Sequence, residues 1–568
     1  MSKKNISQVP GNLKSSITDQ LFQQGLSYHQ KGQFNDALKV YYQILEINPK
    51  HFDALQLTGT VYLQCKNFTN SLNFFKAALK IKSNFVPALI NYGNVLAELK
   101  NFNEALKSYD KAIRLEPNNA SAYNNRGNIL KDLHRLDEAL KNYDIAIQLK
   151  PDYAEAYNNR GSVLNDLKRF DEAIKSLNHA IKLKPDNAQA FYNLGNAIQD
   201  TKQLDNALKN YDLAIQLKPD YAEAYNNRGS VLNDLKRFDE ALVSYDRAIE
   251  FKLDYAEAIT NKSYLKLRLG DFDEGWHLHE FRKNKKDTVN QYPKFSMPCW
   301  LGDTAIEEKV ILVYSEQGLG DTIQFCRYLH MLQSLKPKEI IFYVEKSLIS
   351  ILSSMDNEIT FIEKNHSLPY FDYYSPLISL PLAFKTTLET IPANIPYLKV
   401  DDVKNKYWQD QLGKQRKPRI GLVWSGSTDF KNDHSRSLKL QQLSSLLELP
   451  FEFHCLQKDM RDCDKETLNA FKTLYQHQDN LHDFSDTAAL LNQMDLIISS
   501  CTSVAHLAGA MGKKVWIMLQ FVPDYRWLLD RDDSPWYPTA RLFRQTQIGN
   551  WESVIKQLII ELNKLFIK

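Results

Sequence analysis

The sequence predicts an all-α repeat solenoid followed by an α/β domain, and three observations carry that expectation. Glycine returns every 34 residues through the first half, at 25, 59, 93, 127, 161, 195 and 229, with Ser263 in the eighth slot. Twelve positions after each lies a small residue: Ala37, Ser71, Ala105, Ala139, Ala173, Ala207, Ala241 and Gly275. From residue 309 the period changes to short β-rich runs separated by Gly-containing loops and helical stretches, the pattern of a parallel sheet.

The repeat half comes first. A 34-residue unit with these small residues is a helix–turn–helix, because only small side chains let its two helices approach closely. Prolines at 49, 117, 151, 185 and 219 close most units, since proline cannot continue the second helix. These are the marks of the tetratricopeptide repeat (TPR), and they predict about eight units over 18–285, after an N-terminal segment 1–17. One unit cannot bury its apolar face alone, so stability comes from stacking. The string KPDYAEAYNNRGSVLNDLKRFDEA stands at both 150–173 and 218–241, the trace of a duplicated pair of units. The eighth unit carries Trp276 and Phe281, an apolar end suited to docking on the next domain.

One feature exceeds what the fold requires. Two residues before the later glycines stands asparagine: Asn91, Asn125, Asn159, Asn193, Asn227 and Asn261, with Gln23 and Leu57 in the earlier slots. Asparagine is a mediocre helix former, so six in one register forgo some propensity. Stacked on one face, their amides are candidates to grip the backbone of an extended polypeptide. The alternative is that they are satisfied within the solenoid.

Residues 286–308 read as a connector. KVILVY (309–314), SEQGLGD (315–321), TIQFCRYLHMLQSL (322–335) and EIIFYV (339–344) make a strand, a glycine loop, a helix and a strand. This opens a first α/β half over 309–395. A charged, Pro-containing linker, 396–418, precedes a second half over 419–568. There RIGLVW (419–424), FEFHCL (451–456), DLIISS (495–500) and KVWIML (514–519) read as strands, and VAHLAGAM (504–511) as a helix opened by Thr502 and Ser503.

Bulk properties exclude several classes. The 568 residues carry a net charge of only +3, with 24% charged and 43% hydrophobic, which argues against a nucleic-acid groove or polybasic membrane anchor. No apolar window is long enough to span a bilayer, and the N-terminus lacks a secretion-type apolar run. The six cysteines show neither a CxxC pair nor a metal-ligand rhythm, so reduced thiols in a cytoplasmic protein are expected.

EQGLGDTIQFCRYL, GLVWSGS with NDHSRSL, TSVAHLAGAMGKKVW and SPWYPTARLFRQ together resemble the bacterial TPR-linked glycosyltransferases related to the heptosyltransferases of lipopolysaccharide synthesis. The resemblance covers about 270–555. In layout alone the chain is also similar to the O-linked N-acetylglucosamine transferases. The resemblance implies a double-Rossmann (GT-B-like) fold and transfer of a sugar from a nucleotide-sugar donor to a protein or glycan acceptor. Such transfer needs a base for the acceptor hydroxyl, a cradle for the leaving diphosphate and a hold on the sugar.

Asp321 stands where the resembled family carries its base, with Glu316 as the alternative carboxylate; an Asp before a helix is also an ordinary N-cap. Gly318 and Gly320 shape that loop. Ser425 and Gly426, after a strand, with Arg436 and Ser437, form the candidate diphosphate site, and Lys431 is the nearest rival cation. Thr502, Ser503 and His506 open a helix at the donor side, and Gln457 lies just past a strand end. Cys501 occupies a position where many of the resembled proteins carry Asp, which removes an acceptor for sugar hydroxyls. No cofactor and no metal are expected, the nucleotide sugar being a substrate; Asp530–Asp533 is a weak acidic motif. Two other readings stay open: a scaffold whose GT-B domain only binds, and a phosphosugar isomerase or epimerase on the same fold.

Overall fold

The structure is a computed structural model that describes residues 11–355, 358–428, 433–471 and 473–567. The chain divides into two compact units, one ending at Val231 and the other beginning at Leu232.

The first unit is wholly helical. Its first helix, Gly11–Gln30, already begins inside the stretch read as an N-terminal segment. Helix pairs follow the 34-residue period, for example Val86–Glu98 with Phe102–Leu115, Ala120–Asp132 with Leu136–Leu149, and Ala154–Asp166 with Phe170–Leu183. The repeated glycine answers to a close approach between the helices of a pair. A Cβ on Gly127 would stand 2.7 Å from the ring of Tyr143, which is fully buried. The turn inside each pair pivots on one residue in the left-handed region, such as Lys100, His134, Lys168 and Lys202, at φ 57 to 63°. Gly32 holds that register in the first pair, with φ 72°.

The second unit begins with helices of the last repeats, Phe238–Phe251, Ala256–Arg268 and Phe272–His279, and continues into two parallel sheets. The first holds β1 (Val310–Tyr314), β2 (Glu339–Val344), β3 (Ile359–Glu363) and β4 (Tyr373–Pro376) in the order β3-β2-β1-β4. The second holds β5 (Arg419–Val423), β6 (Glu452–Cys455), β7 (Leu474–Tyr475), β8 (Leu496–Ser500), β9 (Val515–Leu519) and β10 (Ala540–Arg544) in the order β10-β9-β8-β5-β6-β7. Strands β1, β5, β8 and β9 are buried along their whole length, which is why β1 and β9 read as continuous apolar runs and β5 and β8 depart from one only at Arg419, Ser499 and Ser500.

One buried cluster joins Leu267, Phe272 and Trp276 of the last repeat to Phe325, Leu507 and Trp536 of the α/β region. The apolar end of the repeats is thus core. The connector extends the first sheet, with Trp300 N donating to Tyr374 O at 2.7 Å and Tyr374 N to Pro298 O at 3.1 Å. Within the stretch read as a linker, Asp402–Leu412 forms a helix that buries Trp408. The single helix expected over 322–335 is two, Leu319–Phe325 and Tyr328–Gln333.

Candidate functional site

The loop after β1 sets Asp321. Gln317, rather than either neighbouring glycine, takes the left-handed conformation there, at φ 60°. The glycines serve approach instead. A Cβ on Gly318 would stand 3.0 Å from the Asp321 carboxylate, and one on Gly320 3.0 Å from the His506 ring and 3.3 Å from Ser503 Cα. Gly320 therefore lets the helix Leu319–Phe325 of the first sheet reach the start of the helix Ser503–Ala510 of the second.

Asp321 caps its own helix: Oδ2 accepts the Gly318 N–H at 2.9 Å. Its other oxygen pairs with Arg526 Nη2. Burial pushes the Asp321 carboxyl above the usual range, and the Arg526 guanidinium and the Gly318 amide oppose that without cancelling it. Arg526 also donates from Nε to Gln324 Oε1 at 2.6 Å and from Nη1 to Asp524 Oδ1 at 2.8 Å. Burial alone would raise Asp524, but Arg526 holds it below the ordinary carboxylate range.

Glu316, the alternative carboxylate, is committed elsewhere. Arg282 grips it with two N–H groups, Nε to Oε2 at 3.0 Å and Nη2 to Oε1 at 2.6 Å, and Ile378 N donates to Oε1 at 3.1 Å. Both side chains are nearly inaccessible, at 2% and 4%. A charge so enclosed and so fully bonded anchors structure, because removing either partner leaves the other buried and unpaired.

On the facing side, Gln457 builds the turn after β5. Its Oε1 accepts the N–H groups of Trp424 and Ser425 at 2.7 and 2.9 Å, and its Nε2 donates to Ser425 Oγ at 3.1 Å. These bonds commit the side chain to shaping the loop. Ser437 Oγ accepts the Gly426 N–H at 3.0 Å and donates to Asp433 Oδ1 at 2.9 Å. Arg436 reaches Cys501 O from Nη1 at 3.0 Å, which brings the turn after β5 to the loop after β8. Gly426 leaves room for that guanidinium, since a Cβ there would stand 2.5 Å from Arg436 Nη2 and displace it. The helix that starts at Ser503 has no side-chain cap from Thr502, whose hydroxyl lies 3.1 Å from Ser499 Oγ. Its first N–H groups and Arg436 thus share one end of the sheet. Lys431 lies outside the described residues.

His506 stacks on Trp527, with ring centroids 5.4 Å apart, and its Nδ1 is 3.0 Å from Tyr537 Oη. Burial, followed by the nearby Arg526 charge, lowers its pKa to about 3, so it is neutral. Cys501 Sγ accepts the Trp527 indole N–H at 3.1 Å, and burial raises its thiol to about 11. Asp533 is bonded twice by Arg531, at 2.6 and 2.7 Å.

Sequence reasoning missed Arg526, Asp524 and Arg461. Arg461 donates from Nη2 to Gly426 O at 2.9 Å and Ser437 Oγ at 3.1 Å and pairs with Asp433. The signal for the first two was present: PDYRW, 523–527, sets an acid and a base among aromatics shortly after a strand that ends at Leu519. Nothing local marks Arg461, whose partners lie 24 to 35 residues away.

The asparagine ladder has partners of its own. Asn125, Asn159 and Asn227 donate to Asn94, Asn128 and Asn196 of the preceding repeat at 2.9, 3.0 and 2.9 Å. Those three acceptors also receive the hydroxyls of Tyr109, Tyr143 and Tyr211, each at 2.7 Å. In the fifth unit Ser162 and Leu177 replace the Asn and the Tyr, and Asn193 donates instead to Asn158 at 2.9 Å. Satisfaction within the solenoid, the alternative weighed against a peptide grip, therefore has direct geometry for these four; Asn91 and Asn261 are half-buried in the same register.

Residues 93–134, 127–168, 161–202 and 199–235 match the family described as TPR repeat, and 21–51 and 222–259 match tetratricopeptide-repeat families. Protein FlbA of Caulobacter vibrioides is 26% identical over 322 residues, 52% of this chain and 53% of that protein. The chain thus spans about half the length of this curated relative. Among solved structures, YrrB, described as a TPR protein with an unusual peptide-binding site, is 26% identical, with 33% of this chain and 97% of that one covered and a TM-score of 0.28. MamA is 27% identical, with 29% and 96% covered and a TM-score of 0.27. No helix among the described residues is long and apolar enough to cross a membrane. Residues 21–235 of this chain are tetratricopeptide repeats, the architecture of a protein-interaction scaffold, joined to an α/β region built on parallel sheets.

Proposed function

We propose that the α/β region is a GT-B-like pair of Rossmann halves that transfers a sugar from a nucleotide-sugar donor to a protein or glycan acceptor recruited by the repeats. Numbered from its own first strand, the second sheet runs 3-2-1-4-5-6, the order of a doubly wound nucleotide-binding sheet, and the first runs 3-2-1-4. Ligands of such sheets sit outside the strands' carboxyl ends where the strand order reverses. In the second sheet that point lies between β5 and β8, whose loops carry Ser425, Gly426, Cys501, Thr502 and Ser503, with Arg436 bridging them.

The observation that carries the reading is the approach of Gly320 to Ser503 and His506, which supports a site with Asp321 on one side and the proposed diphosphate-binding loops on the other. In the proposed reaction an Asp321 oxygen takes the proton of the acceptor hydroxyl. The acceptor oxygen attacks the anomeric carbon as the bond to the diphosphate oxygen breaks, with inversion. Arg436 and the N–H groups at Ser503 and Val504 hold the charge on the leaving diphosphate.

The test is a panel of UDP, GDP, ADP and their sugars against thermal unfolding of the full chain, with hydrolysis assayed on each hit. A stabilising nucleotide diphosphate supports the donor site; no shift from any at millimolar concentration sinks it. A binding-only scaffold is favoured by one observation, the neutral Cys501 thiol bonded to Trp527. Stabilisation by a sugar nucleotide without hydrolysis or transfer would select it.

A further inference from the structure

The segment Phe521–Trp527 leaves β9 and is gripped at alternate residues by side chains of the last repeats. Lys236 Nζ lies 4.0 Å from the Phe521 ring centroid. Arg268 Nε donates to Pro523 O at 2.7 Å, and its Nη1 to Asn233 Oδ1 at 2.5 Å. Tyr264 stacks on Tyr525, with centroids 5.8 Å apart and planes at 19°. Between these grips the segment turns its acid and its base toward the candidate site, where Arg526 holds Gln324, Asp321 and Asp524.

We infer that Arg268 and Tyr264 are positioning residues: the last repeat sets the candidate base Asp321 through the Phe521–Trp527 segment and Arg526. The role of Asp321 as base rests on the proposed function; the mechanical link does not. The bonds of Arg268 run to Pro523 and Asn233, so its influence on the loop 316–321 passes through the segment; Tyr264 lies on Tyr525 and also meets the His279 ring, with centroids 5.3 Å apart. The seam around this path is packed but incompletely bonded. Trp276 Nε1, His279 Nε2, Gln324 Nε2 and Tyr525 Oη are buried with no hydrogen-bond partner among the described residues. Each buried polar atom left unpaired carries an uncompensated desolvation cost, so this seam is a less stable contact than a fully bonded one. A polypeptide engaging the last repeat would then act on the base without touching it.

Hydrogen exchange read by mass spectrometry on the full chain tests the link without any ligand. In Arg268→Ala, and separately in Tyr264→Leu, exchange in peptides covering 316–325 and 521–528 should quicken together, by roughly threefold or more, as local opening becomes easier. Arg268→Lys should restore much of the protection. Lys262→Ala, on the same helix but paired with Asp246 and Glu274, should leave both peptides unchanged. In an Asp321→Asn background, which weakens the Arg526 pairing, Arg268→Ala should add nothing further at 316–325. An unchanged 316–325, or a uniform rise across the chain in both variants, would overturn the inference. Failure of every nucleotide to bind would instead remove glycosyl transfer and leave the exchange result standing.

Discussion

Asn159 donates to Asn128 across the junction of two repeats, at 3.0 Å, and the acceptor is the same oxygen that receives the Tyr143 hydroxyl. One carbonyl thereby ties the two helices of its own pair to the next pair. Replacing Asn128 with Ala leaves both donors without this partner, at about 1 kcal/mol for each hydrogen bond lost. Asn128→Ala should therefore lower the melting temperature by several degrees, more than Ser162→Ala at the matching position of the next unit. Equal melting of the two variants would show that these bonds to Asn128 add nothing to stability.

The left-handed turn residues make an opposite prediction. Lys168 holds φ 60°, a conformation in which a β-carbon is crowded. Lys168→Gly should leave stability unchanged or raise it by up to about 1 kcal/mol, glycine's larger unfolded-state entropy offsetting part of the relief. Lys168→Val should cost more than about 1 kcal/mol, because a branched β-carbon suits that region worst. Urea unfolding of the three proteins gives the order directly.

Acid should loosen the second unit well above the carboxylate range. Burial holds four histidines neutral there: His454 at about 3, His477 at about 4, His506 at about 3, and His279 well below its ordinary value. The unfolded chain takes up these protons near pH 6.5, so their contribution is complete above that value and is lost as pH falls toward 4. Each contributes at most about 1.4 kcal/mol per pH unit. Asp234, pushed up to about 6 by burial, and Asp321, also raised by burial, run the other way, two groups against four. Melting from pH 7.5 to 5 should fall steeply, and His477→Gln should flatten the fall. A flat profile would mean that these rings are wetted.

If the donor site is as proposed, Arg436→Ala should weaken nucleotide-diphosphate stabilisation by about tenfold in affinity, since it removes a charge-assisted contact. Asp321→Asn should keep that stabilisation while lowering transfer about 10²–10⁴-fold. Calorimetry with the best nucleotide, set beside a transfer assay, separates the two roles.

The repeats were legible because their determinants are local and recur: a glycine under Tyr143 leaves the same mark as one under Tyr109. The interior strands were legible as mostly apolar runs. Strands β3, β4, β7 and β10 were not, being short or part-polar and defined by partners far along the chain. The site was half legible. Asp321 and Arg436 stand in motifs, whereas the commitment of Glu316 to Arg282 and of Asp321 to Arg526 joins residues 34 and 205 positions apart. No local pattern records such pairs.

The burial of Trp276 and Phe272 against Phe325 and Trp536 also decides where the chain can be cut. A fragment beginning at 286, where the repeats end in sequence, would open a greasy wound across its own hydrophobic centre and strand Glu316 without Arg282. One beginning near 232 would carry its plug with it. Limited proteolysis should accordingly spare the junction around 286 and release no stable piece that starts there.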